Sequence, residues 1–339
     1  MLVDVRDLVT REPVGSVEEL VAGATDRAPL GGTDGKSGAT LERVVIDGER
    51  YVLKQLHVDH DWTMRGFGDV GCRPLRLWTT GLLDALPSTI DHAVVGAAAG
   101  LGRHGWGAAL LLRDVGEHLV PEGDDPIPLE QHRQLLDHLA DLSVAFWGWQ
   151  DDLDLLDVSC RYTAFNPSWL AAEAQRGWPD PVPRIADDGW GRFTERSPRV
   201  VREAVTALRH DVDPLVRALA TTPSAFLHGD WKMGNLGSLP DGRTVLLDWT
   251  YPGAGPPLHD LAWYLALNRA RLPESKEESI DWLRRSFEAR GIDTATWWEA
   301  QLDLCLLGCL VQFGWEKALG DDDELTWWCE RAQRGVDRL

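Results

Sequence analysis

The stretch FLHGDWKMGNLGSLPDGRTVLLDW, residues 226–249, carries the densest chemistry in the chain and sets how the rest is read. Asp230 and Asn235 stand five positions apart, directly after a short apolar run. Asp248 ends a second apolar run, reached through the turn signal Pro240-Asp241-Gly242. One carboxylate and one carboxamide from a loop, with a second carboxylate at a strand end, supply oxygen donors suited to a magnesium ion that carries phosphates. The remaining carboxylate can orient a hydroxyl and accept its proton during phosphoryl transfer. The alternative reading of the same residues is an Asx-rich surface turn followed by a strand-end aspartate.

Outward toward the N-terminus, Leu41–Asp47 and Arg50–Leu56 are rich in Val, Ile, Tyr and Leu and flank Asp47-Gly48. Asp-Gly between apolar runs predicts a hairpin. The segment Gly31–Gly38 has four glycines in eight residues and predicts a tight loop leading into that hairpin. Its Gly35-Lys36-Ser37 invites a P-loop reading, but that pattern needs glycine at the position held by Leu30, and strands rather than a helix follow. A short helix is expected at Val17–Ala24, a broken helical segment over 59–85, and strands at Ala93–Ala99 and Ala108–Val115. Residues 1–115 thus read as a mainly antiparallel sheet unit, followed by the Gly/Pro/acid connector GEHLVPEGDDPIP.

From Leu129 the pattern turns helical, with Leu135, Leu136, Leu139, Leu142, Val144 and Phe146 near a helical period. Residues 150–196 read as mixed, with PDPVPR at 179–184 as punctuation. Helices are expected over 198–219, 259–271, 276–289, 295–319 and 322–335, with strands only near Leu227 and at Thr244–Leu247. The fold class is therefore α+β, with a helical part over 116–339.

Composition narrows the function. The 34 basic and 54 acidic residues give a net charge of −20, a surface that repels nucleic acid and anionic lipid. The N-terminal residues lack the apolar run of a secretory signal, and the apolar segment 302–315 is too short to span a bilayer. Five scattered cysteines are no disulfide framework and agree with a reducing cytoplasm; Cys305 and Cys309 read as buried thiols.

His228-Gly229-Asp230 with Asn235 resembles the catalytic loop H-G-D-x-x-x-x-N of the aminoglycoside phosphotransferase and choline kinase-like superfamily. Asp248-Trp249 resembles that superfamily's metal-binding step, and Asp260-Leu261-Ala262 the helix start that follows it. Order and spacing agree: Asp248 lies thirteen positions beyond Asn235, and Asp260 twelve beyond Asp248. The resemblance implies the two-lobed protein kinase-like fold, with a division near residue 115. It implies Asp230 as catalytic base, Asn235 and Asp248 as Mg²⁺ ligands, His228 as an organiser of the loop, and Asp260 as a helix cap that braces it. Lys232 resembles the lysine that touches the transferred phosphate in Ser/Thr protein kinases.

By the same resemblance, Lys54 is similar to the third-strand lysine that pairs the nucleotide's phosphates. Gly35, Ser37 and Gly38 would fold over those phosphates with their backbone N–H groups. Arg113 and Val115 lie on the strand that resembles the adenine-binding hinge, with ATP the default donor. The helix glutamate expected opposite Lys54 is missing: no glutamate occurs between His57 and Leu86, and Asp69 is the substitute expected.

The expected activity is transfer of the γ-phosphoryl of ATP, with Mg²⁺, to a hydroxyl of a small molecule: a sugar, an amino sugar or an aminoglycoside. Choline, homoserine or another metabolite is the alternative acceptor, and a catalytically silent nucleotide-binding protein the alternative class. Asp151, Asp152, Asp154 and Asp321 to Glu324 either attract a cationic acceptor or are solvated helix flanks. Trp231, Trp249, Trp263, Trp297, Trp298 and Trp315 either offer a stacking face or pack the helices.

Overall fold

The computed structural model of the chain describes residues 8–31 and 37–339. In chain order the elements are α1 (Val17–Leu20), β1 (Ala24–Pro29), β2 (Thr40–Ile46), β3 (Glu49–Leu56), α2 (Trp62–Gly66), α3 (Arg73–Thr79), β4 (Ile90–Asp91), β5 (Val94–Leu101), β6 (Gly107–Arg113), α4 (Leu129–Ala145), α5 (Val158–Arg161), α6 (Pro167–Gln175), α7 (Pro181–Arg196), α8 (Arg199–His210) and α9 (Asp213–Leu219). There follow β7 (Ala225–Leu227), β8 (Leu236–Ser238), β9 (Thr244–Leu246), β10 (Gly253–Gly255), α10 (Leu258–Leu267), α11 (Lys276–Ala289), α12 (Trp298–Leu319) and α13 (Asp322–Val336). They form two compact units, Met1–Gly123 with Met233–Thr250, and Asp124–Lys232 with Tyr251–Leu339. The architecture is α+β, with an antiparallel sheet in the N-terminal unit and a larger helical unit, as the sequence leads one to expect.

The first unit is built on the sheet β1-β2-β3-β6-β5. Asp47 (φ 52°) and Gly48 (φ 83°) both take positive φ between β2 and β3, the backbone of a tight hairpin turn. Val44, Leu53, Ala98, Ala109 and Leu111 form the buried core of this sheet. β1 was not legible in the sequence: its six residues, ATDRAP, are polar and mostly exposed at a sheet edge, so they carry no alternation. A second sheet, β4-β9-β8, places β4 parallel to β9 and pairs β8 with β9 as a hairpin.

The second unit is centred on α12, which is buried along nearly its whole length and is mostly apolar, with Gln301, Asp303, Gln312 and Lys317 as buried polar residues. α10 is likewise buried, and β7 pairs antiparallel with β10. Two readings change here. PDPVPR does not interrupt the chain but opens α7, since proline is tolerated in a first helical turn whose N–H groups have no intrahelical acceptor. The expected helix 198–219 is two helices, α8 and α9, parted at Asp211-Val212. Cys305 and Cys309 are buried thiols, and burial pushes the Cys309 thiol up to about 12. Among the described residues no helix is long and apolar enough to cross a membrane.

Candidate active site

In the helical unit, β7 delivers His228-Gly229-Asp230 from the sheet into the loop that follows. His228 is fully buried, and its Nδ1 accepts the Asp230 backbone N–H at 3.2 Å. Asp260, in the first turn of α10, accepts the N–H of His228 at 3.0 Å and of Gly229 at 2.8 Å. It braces the loop as expected but does not cap its own helix, where Pro257 holds the N-cap with no side-chain bond. Burial raises the Asp260 carboxyl to about 6, with the Arg161 charge and the two amide donors working against that rise. Asp230 itself is 2 % exposed. Its Oδ1 accepts the Trp263 Nε1–H at 2.7 Å, and its Oδ2 accepts from Lys232 Nζ at 2.8 Å.

In the N-terminal unit, the β8–β9 hairpin pairs Leu236 with Leu246, and the Leu247 N–H then donates to the Asn235 carbonyl at 2.9 Å. Asn235 and Asp248 therefore flank the open end of this hairpin. Asp248 sits at φ 60°, a left-handed conformation that costs a non-glycine residue on the order of 1–3 kcal/mol and persists only where its surroundings enforce it. Its Oδ1 accepts from Lys54 Nζ at 2.7 Å and from Thr250 Oγ1 at 2.5 Å. Lys54 is carried by β3 between Leu41 of β2 and Leu110 of β6, so two neighbouring strands fix its position.

Lys54 thus pairs with Asp248 rather than with Asp69. Both carboxylate oxygens of Asp69 instead accept the Arg73 backbone N–H, each at 3.0 Å, at the start of α3. Burial raises the Asp69 carboxyl, with Arg73 opposing. A second buried carboxylate, Asp61, caps α2 through Thr63 and Met64. Burial raises its carboxyl too, and the Lys54 charge is among the groups that oppose the rise.

Of the expected phosphate loop, Gly35 lies outside the described residues. The Ser37 carbonyl accepts the Trp62 N–H at 3.0 Å. Gly38 has φ 100°, and a Cβ there would stand 2.0 Å from the His60 carbonyl oxygen, so only glycine fits against that turn. At the expected hinge, the Arg113 N–H donates to the Ala93 carbonyl at 2.9 Å, and its guanidinium pairs with Asp91. The Val115 side chain is buried, and its carbonyl accepts the His118 N–H at 2.9 Å.

The acidic residues considered for a cationic acceptor are largely committed elsewhere. Asp151 accepts the N–H groups of Leu153 and Leu155, and Asp321 caps α13 while pairing with Arg269. Asp322 pairs with Arg196 at 2.7 Å, and buried Glu324 accepts from Lys276 and from the Trp328 indole. The six tryptophans are all buried, with Trp297 and Trp298 meeting Phe287 edge-on. Of the six, Trp263 reaches Asp230.

Asp61, Thr63 and Thr250 escaped the sequence reading, and so did the bond that Trp263 makes to Asp230. Asp61 and Thr63 carry a visible cap signature, and Asp248 with Thr250 repeats the Asp-x-Thr spacing. Trp263 lies three positions after Asp260, one turn along the same helix, and so shares its face.

Among the described residues no group of three or more His, Cys, Asp or Glu side chains is arranged to hold a metal ion. One carboxylate with one carboxamide still fits magnesium, which keeps several waters and takes its remaining ligands from phosphates.

Residues 91–298 match the model of the phosphotransferase enzyme family. No match arises among curated proteins. Among solved structures, the chain is similar to a microcompartment-associated aminopropanol kinase at 15% identity and TM-score 0.51, covering 92% of this chain and 90% of that one. It is also similar to an amicoumacin kinase in complex with AMP-PNP, Ca²⁺ and Ami at 14% identity and TM-score 0.51, covering 96% and 90%. A third is an aminoglycoside phosphotransferase in ternary complex with ADP and hygromycin B, at 13% identity and TM-score 0.50, covering 95% and 97%. These likenesses speak for the kinase-like fold. The family model, spanning the His228–Asn235 loop, Asp248 and α10 in their order along the chain, shows that the chain belongs to the phosphotransferase enzyme family.

Proposed function

We propose that the protein transfers the γ-phosphoryl group of ATP to a hydroxyl of a small molecule, with a sugar, amino sugar or aminoglycoside as the expected acceptor class. The observation that carries this reading is the state of Asp230: a carboxylate held in a buried loop by Asp260 and His228, with separate donors on its two oxygens. A carboxylate fixed in this way is prepared to orient an incoming hydroxyl without reorganising.

In the proposed reaction Asp230 accepts the hydroxyl proton as the acceptor oxygen bonds to the γ-phosphorus. The bond from that phosphorus to the bridging oxygen breaks, and ADP leaves with the electron pair. Asn235 and Asp248 would hold Mg²⁺, which supplies positive charge to the phosphate oxygens. Lys54 pairs with Asp248 in this structure and would turn to the phosphates once a nucleotide arrives. Lys232 would offset charge on the group in flight. Ser37 and Gly38, with Gly35, would close over the phosphates, and Val115 with Arg113 would border the purine. Asp69 holds the start of α3 through the Arg73 N–H.

The test is ADP formation from MgATP with a panel of hydroxyl acceptors that includes hygromycin B, other aminoglycosides, simple amino sugars, 1-amino-2-propanol and choline. Acceptor-dependent ADP release with a phosphorylated product supports the reading, and its absence across the panel contradicts it.

A further inference from the structure

We propose that Trp263 is a positioning residue for the base: its indole N–H fixes Oδ1 of Asp230, so that Oδ2 is the oxygen presented to the acceptor hydroxyl. This inference rests on the functional reading above and adds to it the element that selects which carboxylate oxygen works.

The donor is well placed for such a role. Trp263 Nε1 stands 2.7 Å from Asp230 Oδ1, the length of a strong bond to an ionised acceptor, and both side chains are buried. The ring cannot swing away. Phe313 meets it edge-on with centroids 4.8 Å apart, Tyr251 lies at 5.8 Å and His259 at 5.7 Å. All of these groups belong to the helical unit, as does Asp230. The second donor, Lys232, sits on the other oxygen at 2.8 Å, and its side chain is 36 % exposed. One oxygen is thus held by a rigid, water-excluded donor and the other by a long, partly solvated one. A carboxylate oxygen can accept more than one hydrogen bond, so Oδ2 keeps capacity for the hydroxyl while bonded to Lys232.

Packing alone does not account for this bond. The indole N–H groups of Trp149, Trp190, Trp231 and Trp315 are buried without a hydrogen-bond partner among the described residues. Burying a tryptophan in this protein therefore does not by itself secure an acceptor. The position also follows from the sequence. Asp260 and Trp263 are one turn apart on α10, so the helix that braces the catalytic loop from below also holds its carboxylate from the side.

The test uses the full chain, MgATP and whichever panel acceptor gives the highest turnover. Trp263→Phe keeps an aromatic side chain, though a smaller one, and removes the donor. Expected are a fall in kcat of about tenfold to a hundredfold, the range for losing a hydrogen bond to a charged group, and KM values for MgATP and acceptor within about twofold of the parent. The double variant Trp263→Phe with Asp230→Asn is expected to stay within about twofold of Asp230→Asn alone, since the indole acts through the carboxylate. A purely structural role would give multiplied losses in the double variant and raised KM values. A ¹⁵N-indole spectrum reads the bond without turnover: the resonance that Trp263→Phe removes should shift in Asp230→Asn. Unchanged kcat in Trp263→Phe, multiplied losses, or an unmoved indole resonance overturns this inference alone. No turnover by the parent chain overturns the functional reading and this inference with it.

Discussion

Replacing Asp260 by asparagine perturbs the His228–Asp230 loop at its brace, and the cost can be worked from the structure. At pH 7 the ionised carboxylate accepts two backbone N–H groups, at 3.0 and 2.8 Å, in a fully buried setting. Asparagine keeps one acceptor oxygen and turns an NH₂ group toward the other amide, so one charge-assisted bond is lost, about 1.5–3 kcal/mol. Against this, burial holds the Asp260 carboxyl at about 6, above its usual 3.8, so the charge itself costs about 3 kcal/mol at neutral pH. The raised carboxyl already reflects both amide bonds, so the two effects are not independent, and Asp260→Asn should change stability at pH 7 by no more than about 3 kcal/mol while lowering kcat by about a hundredfold. The sign of the pH dependence follows from the raised carboxyl. The folded state binds the proton more tightly than the unfolded state, so this group's contribution is greatest at low pH and is lost as pH rises through about 6. Between pH 7 and 4.5 the parent should gain about 2 kcal/mol over Asp260→Asn. Urea unfolding of both proteins at the two pH values measures that difference. An equal stability difference at both pH values would refute the reasoning, and so would full kcat in the variant.

Other consequences are as specific. Lys54→Met removes the partner of Asp248, and MgATP affinity measured by calorimetry should fall at least about tenfold, with the helical unit unaffected. Gly38→Ala forces a Cβ to within 2.0 Å of the His60 carbonyl at a φ of 100°, and should destabilise the N-terminal unit by about 2–4 kcal/mol in thermal unfolding.

The sequence made the main elements legible because their signals are local. Asp47-Gly48 specified a hairpin turn, and the helical period of 276–289 returned α11 at its observed bounds. β1, β8 and β10 were invisible because short strands and polar edge strands carry too few residues to show a period. The site divides the same way. Asp230, Asn235, Asp248 and Lys54 announce themselves by type and spacing. Partnerships do not, because they depend on packing between distant segments: Lys54 lies 194 positions from Asp248. Asp69 stood near the right place in the chain, but the amide that opens α3 claims its carboxylate. Trp263 read as either a stacking surface or helix packing, because an indole's hydrophobic body is visible in a sequence while the direction of its N–H is not.

The central claim is that Asp230 is the base of a phosphoryl transfer. Its most direct test is the ratio of kcat for the parent chain and Asp230→Asn with MgATP and a panel acceptor, measured beside MgATP affinity in both. A loss of at least about a thousandfold in kcat is expected, with MgATP affinity within about threefold of the parent. Turnover by Asp230→Asn at the parent rate would contradict it.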